Sequence, residues 1–235
     1  MNEFGDIMPE ELIDALDSYE KGLTPSPFGK AQYTLLGSPA SIQSKKVVRD
    51  AYLKSIRDQL KDLEYLLTGE IILDITWLVS AKHRYETDAK SDIDNCIKPI
   101  IDAFTGPQGL FIDDCQLRGL YICWRHIESG DERLIFDFEF QCDQYSVKKE
   151  LGFVQLDGGL CSPINLDWPI EVRVLWSKAL QGGRLAKNAL EAMGAPYLSV
   201  SGFLAGNQPF HRSRVTQFPV LSLAEFSSRN IKKLQ

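Results

Sequence analysis

The fold of this chain is decided around residues 92–114, which read DIDNCIKPIIDAFTGPQGLFIDD. Apolar side chains recur at helical spacing, at Ile97, Ile100, Ile101 and Phe104. We expect the helix to begin near Asp94 or Asn95, because Pro99 is tolerated best in a first turn. Gly106 and Gly109 then end the helix and turn the chain.

Charged residues flank this helix and line one side of it. Asp92 and Asp94 stand at its start, Lys98 and Asp102 follow Asp94 at successive spacings of four, and Asp113 and Asp114 come after the glycine turn. Residues four apart lie on the same side of a helix. The pattern therefore predicts that a single helix brings carboxylates together at both of its ends, with one lysine between them.

Two interpretations of these residues compete. Hard divalent cations take carboxylate oxygens, and a nearby lysine adds a compact positive charge for phosphate chemistry. Taken singly, each residue has a simpler role, since Asp94 suits an N-cap, Asp92 the helix dipole, and Asp113 with Asp114 a turn. Taken together, they favour a metal site.

The motif formed by Asp92, Asp94, Asn95, Lys98 and Asp102, followed by GLFIDDCQL at residues 109–117, resembles the signature of RusA-type Holliday junction resolvases. The resemblance covers roughly residues 31–142. The chain departs from it in two places. Lys82-His83-Arg84 stands where an arginine-rich run is usual, and residues beyond 150 have no recognised counterpart.

The resemblance implies a small, dimeric endonuclease that cuts four-way DNA junctions and depends on Mg²⁺, with Mn²⁺ as a substitute. It implies catalytic roles for Asp92, Asp94, Lys98 and Asp114, and a metal set of Asp92, Asp94, Asp113 and Asp114. The implied partners are branched DNA and a second copy of the chain, and the implied role is in recombination and repair.

The composition and charge of the chain narrow the class of protein to which it can belong. The 235 residues are 44% hydrophobic and show neither an apolar run that could span a membrane nor a signal-peptide pattern. Five cysteines without a CxxC pair indicate free thiols and a cytoplasmic protein. The net charge of −6 is concentrated in residues 1–23, which hold seven acids and one lysine, whereas residues 151–235 hold nine bases and five acids.

Periodicity predicts an α+β fold in which helices pack on a mixed sheet, in the order strand, helix, strand, helix, strand, strand. The elements expected are a strand at Tyr33–Leu36, a helix at Ser41–Leu67, a strand at Ile71–Val79, a polar loop at 80–91, the central helix, and a hairpin of Leu117–Trp124 with Leu134–Phe140.

We expect three parts in the chain: an acidic arm with its linker (1–30), a nuclease-like core (31–145) and a C-terminal α/β extension (146–235). The arm contains a short helix at 8–21, which serves either to dock or, less simply, to mimic DNA. In the extension, Glu171–Trp176 is expected to form a strand and Arg184–Met193 a helix that ends at Gly194.

Candidate DNA contacts come from three basic segments. Lys45 and Lys46 start the first long helix, Lys82 and Arg84 precede the acidic motif, and Arg212 and Arg214 lie in a stretch where bases alternate with aromatic residues. In that last stretch, Phe210 and Phe218 would either stack on unpaired bases or pack into the core.

The leading hypothesis is a metal-dependent endonuclease for branched DNA. The alternatives are a DNA-binding architectural or regulatory protein with a nuclease-like fold, or another metal-dependent enzyme that acts on phosphates.

Overall fold

The structure is a computed structural model and describes residues 9–86, 92–128, 130–204 and 208–228. The chain divides between Tyr145 and Ser146 into two units. Within the described residues, no helix combines the length and apolar character needed to cross a membrane.

The first unit is built on a four-stranded mixed sheet. Its elements are α1 (Glu10–Glu20), β1 (Lys30–Leu36), α2 (Lys46–Leu60), β2 (Tyr65–Leu67), β3 (Ile71–Ser80), α3 (Ala81–Glu86), α4 (Ile93–Phe104), β4 (Leu117–Ile127) and β5 (Arg133–Phe140), and β6 (Tyr145–Val147) starts at its last residue. The sheet order is β1-β5-β3-β4. This arrangement confirms the predicted α+β class.

The predicted hairpin of β4 with β5 is wrong, because β3 lies between the two strands. β3 pairs in parallel with β4 and antiparallel with β5. β3 buries every second residue fully, because one face of the sheet packs on the core, whereas β4 at the sheet edge leaves Leu120 and Tyr121 exposed. The alternation of apolar residues along β5 correctly predicted which face of the strand is buried, but it did not predict which strands pair with β5.

The long helix predicted over Ser41–Leu67 ends early, at Leu60. Two backbone N–H groups beyond Leu60 bond to distant segments and not to the preceding helical turn. The Glu64 N–H donates to the Gly22 carbonyl (2.8 Å), and the Leu67 N–H donates to the Leu110 carbonyl (2.9 Å). The polar loop predicted over 80–91 is also partly wrong, because residues 81–86 form α3, while residues 87–91 lie outside the described residues.

α4 starts at Ile93, before the predicted Asp94 or Asn95, so Pro99 lies beyond the first turn. Proline cannot donate to the carbonyl four residues earlier, which here is that of Asn95. The N–H of Ile42 donates to this carbonyl instead, at 2.9 Å. The missing helical hydrogen bond is thus replaced by one that ties the loop before α2 to α4.

The core of the first unit fixes the position of α4. Phe104 at the end of α4 lies 5.1 Å from the ring of Phe136 and 4.9 Å from that of Phe138, both on β5. Cys96 and Ile100 are fully buried on the same face of the helix. This packing directs the charged side of α4 away from the sheet.

The second unit has its own sheet. Its elements are β7 (Leu151–Gln155), β8 (Leu160–Asn165), α5 (Ile170–Ala192), α6 (Tyr197–Val200), β9 (Phe210–His211), β10 (Val220–Ser222) and α7 (Leu223–Ser227). The strand order in this sheet is β10-β7-β8-β9. The strand predicted at Glu171–Trp176 is wrong, because these residues belong to α5. The helix predicted at Arg184–Met193 is the second half of α5, which ends just before Gly194 (φ 91°).

Candidate active site at the two ends of helix α4

A lysine held by carboxylates lies at the centre of the site. Nζ of Lys98 donates to Oδ1 of Asp102 at 2.6 Å, one helical turn on, and lies 3.7 Å from Oδ2 of Asp114. The hydrogen bond to Asp102 raises the pKa of Lys98, and the negative charges of Asp102, Asp114 and Asp113 act in the same direction. Lys98 is therefore cationic at neutral pH.

The turn after α4 brings Asp113 and Asp114 back towards the helix. Gly109 is required there, because a Cβ at this position would stand 2.1 Å from the Phe104 carbonyl oxygen. Leu110, Phe111 and Ile112 are all buried. The two aspartates therefore emerge at the end of a firmly packed segment.

Gln116, to which the sequence analysis assigned no role, positions this pair. Its Oε1 accepts hydrogen bonds from the N–H groups of Ile112 (2.8 Å) and Asp113 (3.0 Å). Its Nε2 donates to the carbonyls of Leu67 (3.0 Å) and Gly69 (2.8 Å). The side chain is fully buried, and every hydrogen-bonding capacity of its amide is used.

The spacing of Asp113 and Gln116 was the signal that could have revealed this role. An aspartate followed three residues later by glutamine is a capping-box pattern. Asp113 indeed caps a short 3-10 helix over 114–116, and its carboxylate accepts from the Cys115 N–H at 3.1 Å. The simpler interpretation of Asp113 as a turn residue is thus correct for its side chain.

We expect Gln116→Leu to destabilise the protein by at least ~3 kcal/mol, because it leaves two N–H groups and two carbonyls without their buried partner. Urea denaturation measures the change. Gln32→Leu is the matched control, since the Gln32 side chain donates to Asp137 at an exposed position (2.6 Å), and its loss should cost about 0.5 kcal/mol. Equal stability of the two variants would contradict the positioning role.

Asp92 and Asp94 occupy the start of α4. Asp92 is the N-cap residue, but its side chain makes no capping hydrogen bond, and Asp94 lies exposed in the first turn. Burial raises the pKa of Cys96 to about 11, and the charges of Asp94 and Asp92 are smaller causes in the same direction. The Cys96 thiol, which faces the core, is therefore neutral and unsuited to bind a hard cation.

The carboxylates provide the right chemistry for a divalent cation, since Mg²⁺ prefers oxygen ligands. Within the described residues, however, no three acidic, histidine or cysteine side chains are grouped closely enough to hold a metal. The structure brings Lys98, Asp102 and Asp114 together and places Asp94 one turn before Lys98 on α4.

The basic residues of the first unit that were predicted to contact DNA have differing environments. Lys45 occupies the N-cap position of α2 without a side-chain capping hydrogen bond, and Lys46 is the first residue of that helix. Both side chains are exposed and follow the loop that the Ile42 N–H ties to α4. Lys82 is exposed on α3. The Arg84 guanidinium lies 3.2 Å from the ring centroid of Trp124, so its charge is stacked on an aromatic face.

In the second unit, Arg212 and Arg214 belong to a 3-10 turn that follows β9. The base-stacking role considered for Phe210 and Phe218 is wrong, because both are buried and lie 5.7 and 5.4 Å from the ring of Phe153. Asn207 of the same stretch lies outside the described residues.

The first unit thus combines an α+β fold with a helix that carries Lys98 in its middle and carboxylates towards both ends. Residues 25–134 match the model of a protein family described as endodeoxyribonuclease RusA. The matched segment runs from the residues before β1 to the start of β5 and includes the whole of the motif, which confirms the resemblance found in the sequence. No curated protein matches the chain.

Proposed function

We propose that the first unit is an endonuclease that hydrolyses phosphodiester bonds in branched DNA, with four-way junctions as its substrate. The observation that carries the proposal is the Lys98 ammonium group held beside Asp102 and Asp114, within the segment that matches the RusA family. An exposed helical lysine paired with one carboxylate is ordinary. Here the buried turn after α4 brings a second carboxylate, that of Asp114, to the same lysine, and this convergence is what supports an active site.

Lys98 supplies positive charge where negative charge develops on the phosphate oxygens as the bond breaks. Asp102 holds its Nζ in place through the 2.6 Å hydrogen bond, which also raises the pKa of Lys98. Gln116 and the buried segment before it hold Asp114 against the lysine. Asp102 and Gln116 are therefore positioning residues.

Asp92, Asp94, Asp113 and Asp114 are the residues that we propose to hold Mg²⁺ or, in its place, Mn²⁺. Because the described side chains are not grouped closely enough to hold an ion, binding requires these carboxylates to move together. When bound, such an ion activates water and neutralises phosphate charge. Asp113 also accepts a structural hydrogen bond from the Cys115 N–H through Oδ1.

We further propose that two copies of the chain act together, because a four-way junction offers two equivalent strands and suits a two-fold symmetric protein. Lys45, Lys46 and Lys82 are exposed and suited to contact phosphates. Arg84 can contribute only if it leaves the Trp124 ring. Cleavage of junctions would place the protein in recombination and repair.

The decisive experiment presents the full chain with labelled four-way junctions, forks and linear duplexes of the same sequence, each with Mg²⁺, Mn²⁺ or a chelator. We expect metal-dependent, paired cuts in the junction and an intact linear duplex. Tight binding of the junction without cuts in either metal would favour the DNA-binding alternative. Hydrolysis of nucleotides added in parallel would favour another phosphate-processing enzyme.

A further inference from the structure

A cleft of about 1000 Å³ lies within the second unit. One wall is the side of α5 that carries Ser177, Lys178, Gln181 and Arg184, and Arg212 lines the cleft from the turn after β9. The volume is at the upper end of sites for small molecules. Nothing in the nuclease proposal uses this cleft.

Hydrogen-bond donors in the cleft lack acceptors. The side chain of Ser177 is only 5% exposed, yet its Oγ has no hydrogen-bond partner among the described residues. The same holds for Nη1 of Arg212 and Nε of Arg184, which are also buried. A buried donor without an acceptor costs free energy. These three donors belong to residues that line one cleft, so a single bound anion could supply acceptors to them.

The charges in the cleft favour an anion. Of its two acids, Asp157 is paired with Arg184, whereas Glu225 accepts from the N–H (2.7 Å) and hydroxyl (2.8 Å) of Ser222 and keeps its negative charge. Lys178 and Arg212 remain as additional cations lining the same space. Guanidinium and hydroxyl groups together are a typical donor set for a phosphate.

We propose that this cleft binds the phosphate of a nucleotide, with Ser177 and Arg212 as its principal donors. A phosphate alone would fill a small part of the volume. The remaining walls include Leu156, Val174 and Leu221, whose apolar side chains suit the uncharged part of a nucleotide. The nucleotide comes either as a free molecule or as the phosphorylated end of a DNA strand.

The test titrates the full chain with inorganic phosphate, deoxyadenosine monophosphate and a 5′-phosphorylated single strand, followed by calorimetry and thermal unfolding. We expect saturable binding of the monophosphate, tighter than that of phosphate. Arg212→Gln should weaken it at least ~10-fold, as the loss of a charged hydrogen bond does, and Ser177→Ala about 3- to 10-fold. Tighter binding of the strand than of the monophosphate, lost in Arg212→Gln and absent for the same strand without its 5′-phosphate, would identify the strand end as the source. Tighter binding of the monophosphate would identify the free nucleotide.

Arg214→Gln is the matched control, because Arg214 lies in the same turn but does not line the cleft. Ser177→Ala removes an unpartnered hydroxyl, so without ligand it should unfold no earlier than the wild type. An equal loss in Arg214→Gln, or no saturable binding of any probe to the wild type, would overturn the proposal. If deoxyadenosine monophosphate bound no more tightly than inorganic phosphate, the assignment of the cleft to a nucleotide would be overturned.

Discussion

Asp94→Asn should leave junction binding at wild-type strength or tighter and slow junction cleavage at least ~100-fold. Mutation of a residue that only supports a metal ligand lowers metal affinity or activity about 10- to 100-fold. Removal of the charge of a ligand itself should lower activity by at least as much. Binding should persist because asparagine removes a negative charge that would face DNA phosphates. Cleavage and binding are measured separately, on the same labelled junction, with Mg²⁺ and with a chelator.

Asp94 also lies in the first turn of α4, where a negative charge stabilises the helix dipole. Glu171→Gln is the matched control for this effect, because Glu171 is the second residue of α5 as Asp94 is of α4. Both variants should unfold slightly earlier than the wild type, and only Asp94→Asn should lose cleavage. Cleavage at the wild-type rate by Asp94→Asn would reduce Asp94 to a residue that stabilises the helix.

Lys98→Ala should slow cleavage by about 10²- to 10³-fold, the effect typical for loss of one group that stabilises developing charge in a transition state. Excess Mg²⁺ should not restore the rate, because the substitution leaves every carboxylate in place. Single-turnover cleavage with enzyme in excess measures the chemical step free of product release.

The control for this variant is another lysine with the same local geometry. Nζ of Lys54 on α2 pairs with Asp58 four residues on, at 2.5 Å, just as Lys98 pairs with Asp102. Lys54→Ala removes an equivalent surface ion pair outside the proposed site and should leave the rate unchanged. Equal rates for the two variants would assign Lys98 to helix stability alone.

The amino-acid sequence by itself determined the parts of this protein that local physics controls. Alternation of apolar residues identified β3 and the inward face of β5, and helical spacing identified α4, because burial of one face leaves a direct mark on the sequence. The motif of aspartates and Lys98 also led to the RusA family, and the family match confirmed it.

The tertiary structure alone decided which segments became neighbours. β3 separates β4 from β5, Ile42 takes the carbonyl that Pro99 leaves free, and the chain from Tyr65 to Leu67 forms a strand. These outcomes depend on hydrogen bonds between residues far apart in sequence, and no local pattern encodes them. For the same reason the sequence did not predict the role of Gln116, whose buried amide joins the end of β2 to the acidic turn. Nor did it predict the cleft beside α5, because the donors that line it come from separate elements.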